Sequence, residues 1–254
     1  SFAMGGTYVF RLSAGDSELT TTDEVAIAVA GELRLDVRVM DGADDAEEAQ
    51  LAGPIDPAGH LDRTSAYLDL VSDGDRGNQI VGMRFNGLEI PPGQDILAAY
   101  VQFQAAGTDS QATHLTLNGE ATDNAERFTS DLFDISSQPA TSATVAWSPA
   151  GWDVLDEAGV DQRTPNIAPI IQEIVDRPGW ASGNSLAIIV RGTGVRRAWS
   201  WNGKAGAAPL LHVVYDTTDT YLAPSLAVPD QIFGPDFPQT PRTIDLWDYA
   251  SDPD

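Results

Sequence analysis

The chain of 254 residues contains no cysteine. Disulfide frameworks and thiolate metal sites are therefore excluded. Cations are scarce: 14 Lys and Arg stand against 38 Asp and Glu, a formal net charge of −24. A surface so poor in cations has no patch able to displace counterions from a phosphate backbone, so nucleic acid is excluded as a partner. An anionic bilayer surface is excluded for the same reason. No apolar run approaches the roughly 20 residues that a spanning helix needs, and no membrane insertion is expected. Histidine is also rare. His60, His114 and His212 are isolated in sequence, and neither H-E-x-x-H nor G-x-S-x-G occurs. The nominal carboxylate pair for glycosidase chemistry is Glu120 with Asp123. With no nucleophile–base pair and no phosphate loop, the chain is not expected to be an enzyme.

Turn formers are plentiful, with 23 Gly and 16 Pro. Between them lie short strand candidates, at residues 33–40, 67–71, 79–85, 96–105, 114–120, 143–146, 186–191, 197–201 and 210–215, of which the apolar 186–191 reads as a buried strand. Only residues 165–176 have helical period, with Ile167, Ile170, Ile171, Ile174 and Val175 on one stripe. Many short strands and one short helix predict an all-β fold, an antiparallel β-sandwich. The complete domain is read as residues 33–218.

Residues 1–32 form a separate segment whose opening, SFAMGG, reads as a cloning scar or an internal cut. Tyr8, Phe10 and Leu12 alternate with polar residues, Ala14-Gly15-Asp16 suits a turn, and Val25, Ile27 and Val29 alternate again. That is a β-hairpin, and two strands alone cannot bury a core. It resembles the last two strands of a cadherin-like or PKD-like repeat. Residues 219–254 carry six prolines after Tyr221 and read as a stiff linker. Ile244-Asp245-Leu246 and Tyr249-Ala250-Ser251-Asp252-Pro253 resemble the opening of a further cadherin-like repeat. In that family an Asp in the place of Asp252 contributes to calcium between repeats. Neighbouring domains of the same parent chain are thus expected partners.

Within the domain, Gln79-Ile-Val-Gly-Met-Arg-Phe is followed by Ile90-Pro-Pro-Gly and by Ile96-Leu-Ala-Ala-Tyr-Val-Gln-Phe. Trp147, the stripe 167–175, Asn184 and Pro209-Leu-Leu-His-Val-Val-Tyr come next. This order resembles the DNRLRE, or disaggregatase-related, modules over residues 45–216. The resemblance implies a jelly-roll sandwich grouped with carbohydrate-binding modules, attached to secreted or cell-surface bacterial proteins. It also implies a structural calcium near the ends of the domain.

Two candidate sites follow. Asp41, Asp44, Asp45 and Glu47 crowd one short run, and calcium takes six to eight hard oxygens of this kind. Asp69 and Asp216 are the expected additional ligands, Ca2+ being the expected structural cofactor. The turn around Asp73 and Asp75 is a weaker candidate, because such residues favour tight turns without metal. Trp199 and Trp201 stand two apart in an expected strand, which places both indoles on one face as a platform for sugar rings. Arg197 on that face suits a carboxylate or sulfate group of an acidic glycan. Arg191, Arg196 and Lys204 lie nearby, whereas Trp147, Trp152 and Trp180 are expected in the core. The expected partner is a polysaccharide and the expected location extracellular. The alternatives are a calcium-stiffened adhesin spacer and, less favoured, a polysaccharide lyase or hydrolase.

Overall fold

A computed structural model describes residues 6–15, 20–29, 31–216, 225–226 and 250–251. By its contacts the chain divides into Leu33–Tyr215 and a second unit made of Ser1–Glu32 with Asp216–Asp254. In the second unit, β1 (Gly6–Gly15) and β2 (Thr20–Val29) pair antiparallel, from Gly6 opposite Val29 to Gly15 opposite Thr20. Phe10 lies opposite Val25 and Tyr8 opposite Ile27. Ala14 and Gly15, expected in the turn, are paired with Thr21 and Thr20. Asp252 lies outside the described residues.

The larger unit is an all-β antiparallel sandwich. Its elements are β3 (Glu32–Arg38), β4 (Asp45–Ala49), β5 (Leu61–Asp62), β6 (Tyr67–Asp69), β7 (Ser72–Asp73), β8 (Gly77–Phe85), β9 (Ile96–Gln102), β10 (His114–Glu120) and β11 (Ala140–Trp147). Helix α1 (Ala168–Val175), β12 (Leu186–Thr193), β13 (Arg197–Trp199), the one-turn helix α2 (Trp201–Lys204) and β14 (Leu210–Asp216) complete it. One sheet runs β11-β10-β12-β8-β4-β5, with β7 also on β8. A three-stranded sheet runs β3-β14-β9, and β13 pairs with β6 as a short ribbon.

Strand period decides what each face of the large sheet buries. Val81, Met83 and Phe85 of β8, Leu115 and Leu117 of β10, and Leu186, Ile188 and Val190 of β12 enter the main core. Val101, Leu211 and Val213 of the small sheet meet them there, with Ile167, Ile170, Ile171 and Ile174 at and in α1. The intervening residues Ile80, Ala187 and Ile189 point the other way, into a second core closed by Phe128 and Ile135. The strands of the large sheet are thus covered on both faces, which explains the near-continuous apolar run Leu186–Val190. Trp147, Trp152 and Trp180 are all buried; the Trp152 indole N–H donates to Asp161 O at 3.0 Å and that of Trp180 to Ile90 O at 2.9 Å.

Two expectations are corrected. The acidic run lies outside every expected strand, yet residues 45–49 form β4, an inner strand of the large sheet. The strand expected over 197–201 stops at Trp199. Ser200 caps α2 there, its Oγ accepting the Gly203 amide at 3.1 Å, so Trp201 begins a helix.

Candidate functional site

The acids of β4 are placed by register. Asp45 lies opposite Met83 and Glu47 opposite Val81, so their side chains leave on the main-core face. Asp45 accepts the Trp201 amide at 2.8 Å, and Glu47 accepts the Asp69 amide at 2.5 Å. The two carboxylates thereby fasten the large sheet to the β6–β13 ribbon and to α2. Burial pushes Asp45 up to about 7, with Asp44 and Asp41 adding to the rise against the Trp201 amide. Burial likewise pushes Glu47 up to about 8, with Asp69, Asp62 and Asp73 adding to it. Asp69 is also raised by burial, although its ion pair with Arg197, 2.8 Å, pulls the other way.

The remaining acids of the run have separate partners. Asp41 accepts the Ala43 amide at 2.9 Å within its own turn. Asp44 bonds Arg84 at 2.7 Å, and that buried guanidinium also reaches Ala125 O and Ser185 Oγ. Glu48 accepts the Ile135 and Ser136 amides at 2.8 Å each, on the opposite face. Asp216 ends β14 and groups by contacts with the flanking segments. Among the described residues no three His, Cys, Asp or Glu side chains converge to hold a metal ion. Of the residues expected to bind calcium, Asp41, Asp44, Asp45, Glu47 and Asp69 each have a hydrogen-bond or ion-pair partner within the chain. The turn at Asp73 is an Asx turn, Asp75 N donating to Asp73 Oδ1 at 3.0 Å.

The ribbon builds a different surface. Ala198 and Leu68 lie opposite each other and point into the core. Trp199 and its opposite Tyr67 therefore face outward, as does Arg197, whose opposite Asp69 is buried beneath it. The Tyr67 and Trp199 rings lie 5.3 Å apart at 40°, both half-buried. The Arg197 guanidinium lies 5.2 Å from the Tyr67 ring centre, and Lys204 Nζ 5.8 Å from that of Trp199. Asp156 closes the group, accepting from the Trp199 indole and from Lys204 at 2.8 Å each. The Lys204 and Trp199 hydrogen bonds hold its carboxyl below the usual range. The exposed Val154 and Leu155 precede it in the same loop.

The expected Trp199–Trp201 platform is thus corrected to Trp199 with Tyr67. Trp201 instead packs against the main core and lines an open groove of about 540 Å3 beside β3. Arg197 is where the strand period placed it. Tyr67 was visible as the start of an expected strand, but only pairing brings it to Trp199. Asp156 has no signature, because a loop delivers it from 43 residues away in sequence.

The nominal catalytic pair separates by partner. Asp123 bonds Arg177 at 2.7 Å. Glu120 is buried on β10 and pushed up to about 7 by that burial and by Asp134 and Glu126. The three histidines have local partners: His60 with Asp56, His114 with Ser148 and His212 with Asp36. Among the described residues no helix is long and apolar enough to cross a membrane.

Fold and surface together define an antiparallel β-sandwich with an aromatic ribbon on its outside. No protein-family model matches the chain, and a search of curated proteins returns no match.

Proposed function

We propose that the domain is a non-catalytic polysaccharide-binding module of a secreted or cell-surface protein, of the DNRLRE type its sequence resembles. The observation that carries this reading is the outward-facing, half-buried Tyr67–Trp199 ring pair on a ribbon whose other face is locked into the core. Aromatic rings offer apolar area at low entropic cost and a flat face for sugar C–H groups. Arg197 and Lys204 are each matched by an acid, so ring stacking rather than net positive charge supplies the attraction. Neutral polysaccharides are favoured over strongly anionic ones on that ground. The non-catalytic part of the reading is supported by the engagement of Asp123 with Arg177, while the acids that bear on Glu120 are Asp134 and Glu126.

The test is affinity electrophoresis over a panel of neutral, uronic and sulfated polysaccharides. The native chain should be retarded by at least one, and Trp199→Ala or Tyr67→Ala should weaken retention by about 2 kcal/mol, roughly thirtyfold. Because these half-buried rings lie on the outer face of the ribbon, whereas the half-buried Trp201 packs against the main core, both variants should keep most of their melting temperature. Trp201→Ala should do the reverse, keeping retention and losing stability. Retention by none of the panel, or retention unchanged by Trp199→Ala, overturns the reading. A structural spacer is the second reading, favoured by the internal neutralisation of Arg197 and Lys204, and a chain retarded by no polysaccharide would support it.

A further inference from the structure

Two sheet edges in this domain are closed by side chains. Along β9 the amides of Ile96, Ala99 and Val101 donate to Gln172, Asn166 and Thr164 at 2.7, 2.9 and 3.0 Å. Along β11 the amides of Ser142 and Ala143 both donate to the Glu173 carboxylate at 2.7 Å. β3 ends the order β3-β14-β9, and among the described residues no strand lies on its other side. The Val39 amide donates to Pro209 O at 3.0 Å, so alternate residues of β3 in phase with it bond towards β14. The backbone groups of Glu32, Arg34, Asp36 and Arg38 therefore point out of the sheet. Beside them Leu33 is 47% and Met40 67% exposed, and Leu35 and Val37 are only partly covered.

We infer that β3 is the interface of a symmetric dimer, in which the β3 strands of two copies of this chain pair antiparallel about Leu35. The strand reads Glu-Leu-Arg-Leu-Asp-Val-Arg, and its charges are self-complementary. Centred on Leu35, Arg34 faces Asp36 of the partner subunit and Glu32 faces Arg38 of the partner subunit. Leu33 then faces the partner's Val37, extending the apolar strip that each copy leaves uncovered. These pairs bring together the residues whose backbone groups point outward, which is the hydrogen-bonded kind of antiparallel pair. Moving the centre to Arg34 or to Asp36 sets like charges opposite each other, which destabilises cross-strand pairing. The register centred on Leu35 places four opposite-charge pairs across the interface, against two for a centre on Leu33 or Val37, and a two-fold axis through Leu35 generates it. The matched charges commit the edge to a second copy rather than to an unrelated strand.

Sedimentation velocity of the intact chain, over a micromolar concentration series at physiological salt, tests this. The native chain should dimerise reversibly. Arg34→Asp opposes two pairs of carboxylates, Asp36→Arg opposes two pairs of guanidinium groups, and either should weaken the dimer by roughly tenfold or more. Both sites are exposed; Asp36→Arg also removes the His212 contact, so melting temperature is the folding control for each variant and Arg34→Asp, which leaves that contact intact, carries the test independently. An equal mixture of the two variants should dimerise, because each supplies the charge the other lacks, and the R34D/D36R double variant should dimerise alone. A native chain monomeric throughout the series overturns the inference. So do single variants that associate like the native chain, or a mixture that stays monomeric.

Discussion

Asp45 and Glu47 are buried acids that fold better with their protons on. In the unfolded chain a carboxyl has its ordinary value near 4. In the folded protein burial raises Asp45 to about 7 and Glu47 to about 8. The stability they contribute is full below about pH 4 and is lost as pH rises through those folded values. Glu120, raised to about 7, acts in the same direction. The melting temperature is therefore expected to fall by on the order of 5 °C from about pH 5 to about pH 9. Glu47→Gln, which keeps an acceptor for the Asp69 amide, should flatten that slope in differential scanning calorimetry. A melting temperature that rises over the same interval would show that these carboxyls ionise freely. Calcium belongs to the same residues. An ion bound there only in the folded chain should raise the melting temperature by several degrees in millimolar calcium over EDTA, and coincident scans would remove calcium from the run. The acidity of 41–48 was legible in the sequence, but its meaning was not. Asp and Glu are poor strand formers, and only pairing with β8 shows that half of them face a core.

At the scale of elements, most strands were legible because Val, Ile and Leu alternate with polar residues. Expected 114–120 is β10 (His114–Glu120), and the 167–175 stripe holds α1. What failed were elements decided by a single cap or a distant neighbour. The alternation Arg197, Trp199, Trp201 continues in the sequence, yet the Ser200 hydroxyl takes the Gly203 amide and turns the chain. That turn also demands glycine, since a Cβ on Gly203 would stand 1.9 Å from Ala66 O. Gly192 of β12 is held as tightly. Its φ is +149°, and an added Cβ would meet His114 O at 2.1 Å. Gly192→Ala has no flexible side chain to push aside and should cost about 3 kcal/mol, read as a lower midpoint in urea unfolding. Edge closure gives a milder case. Glu173→Ala frees two β11 amides and should cost about 1–2 kcal/mol, with more aggregation on heating. A variant as stable as the native chain would mean that water serves those amides equally well.

For the whole molecule, charge and topology set the behaviour. With 38 acids against 14 Lys and Arg, self-repulsion outweighs the exposed ion pairs, each worth little. Moving from about 10 mM to about 150 mM NaCl shortens the screening length from roughly 30 Å to roughly 8 Å. The melting temperature should therefore rise with salt, and a fall would mean that specific pairs dominate. The fold class was legible at this scale, because short punctuated strands leave few alternatives. Strand order was not, because it depends on which distant runs meet. In the small sheet β14 lies between β3 and β9, which never touch each other as neighbours. Seen from the ribosome, this placement sets a timetable. Residues of β3 emerge early, yet their pairing partner is the last strand of the domain. At roughly 5–20 residues per second, Leu35 and Val37 wait on the order of ten seconds for Leu211 and Val213 to be made. A nascent chain ending before Leu210 should stay protease-sensitive and hold chaperones, however much of the large sheet it already contains.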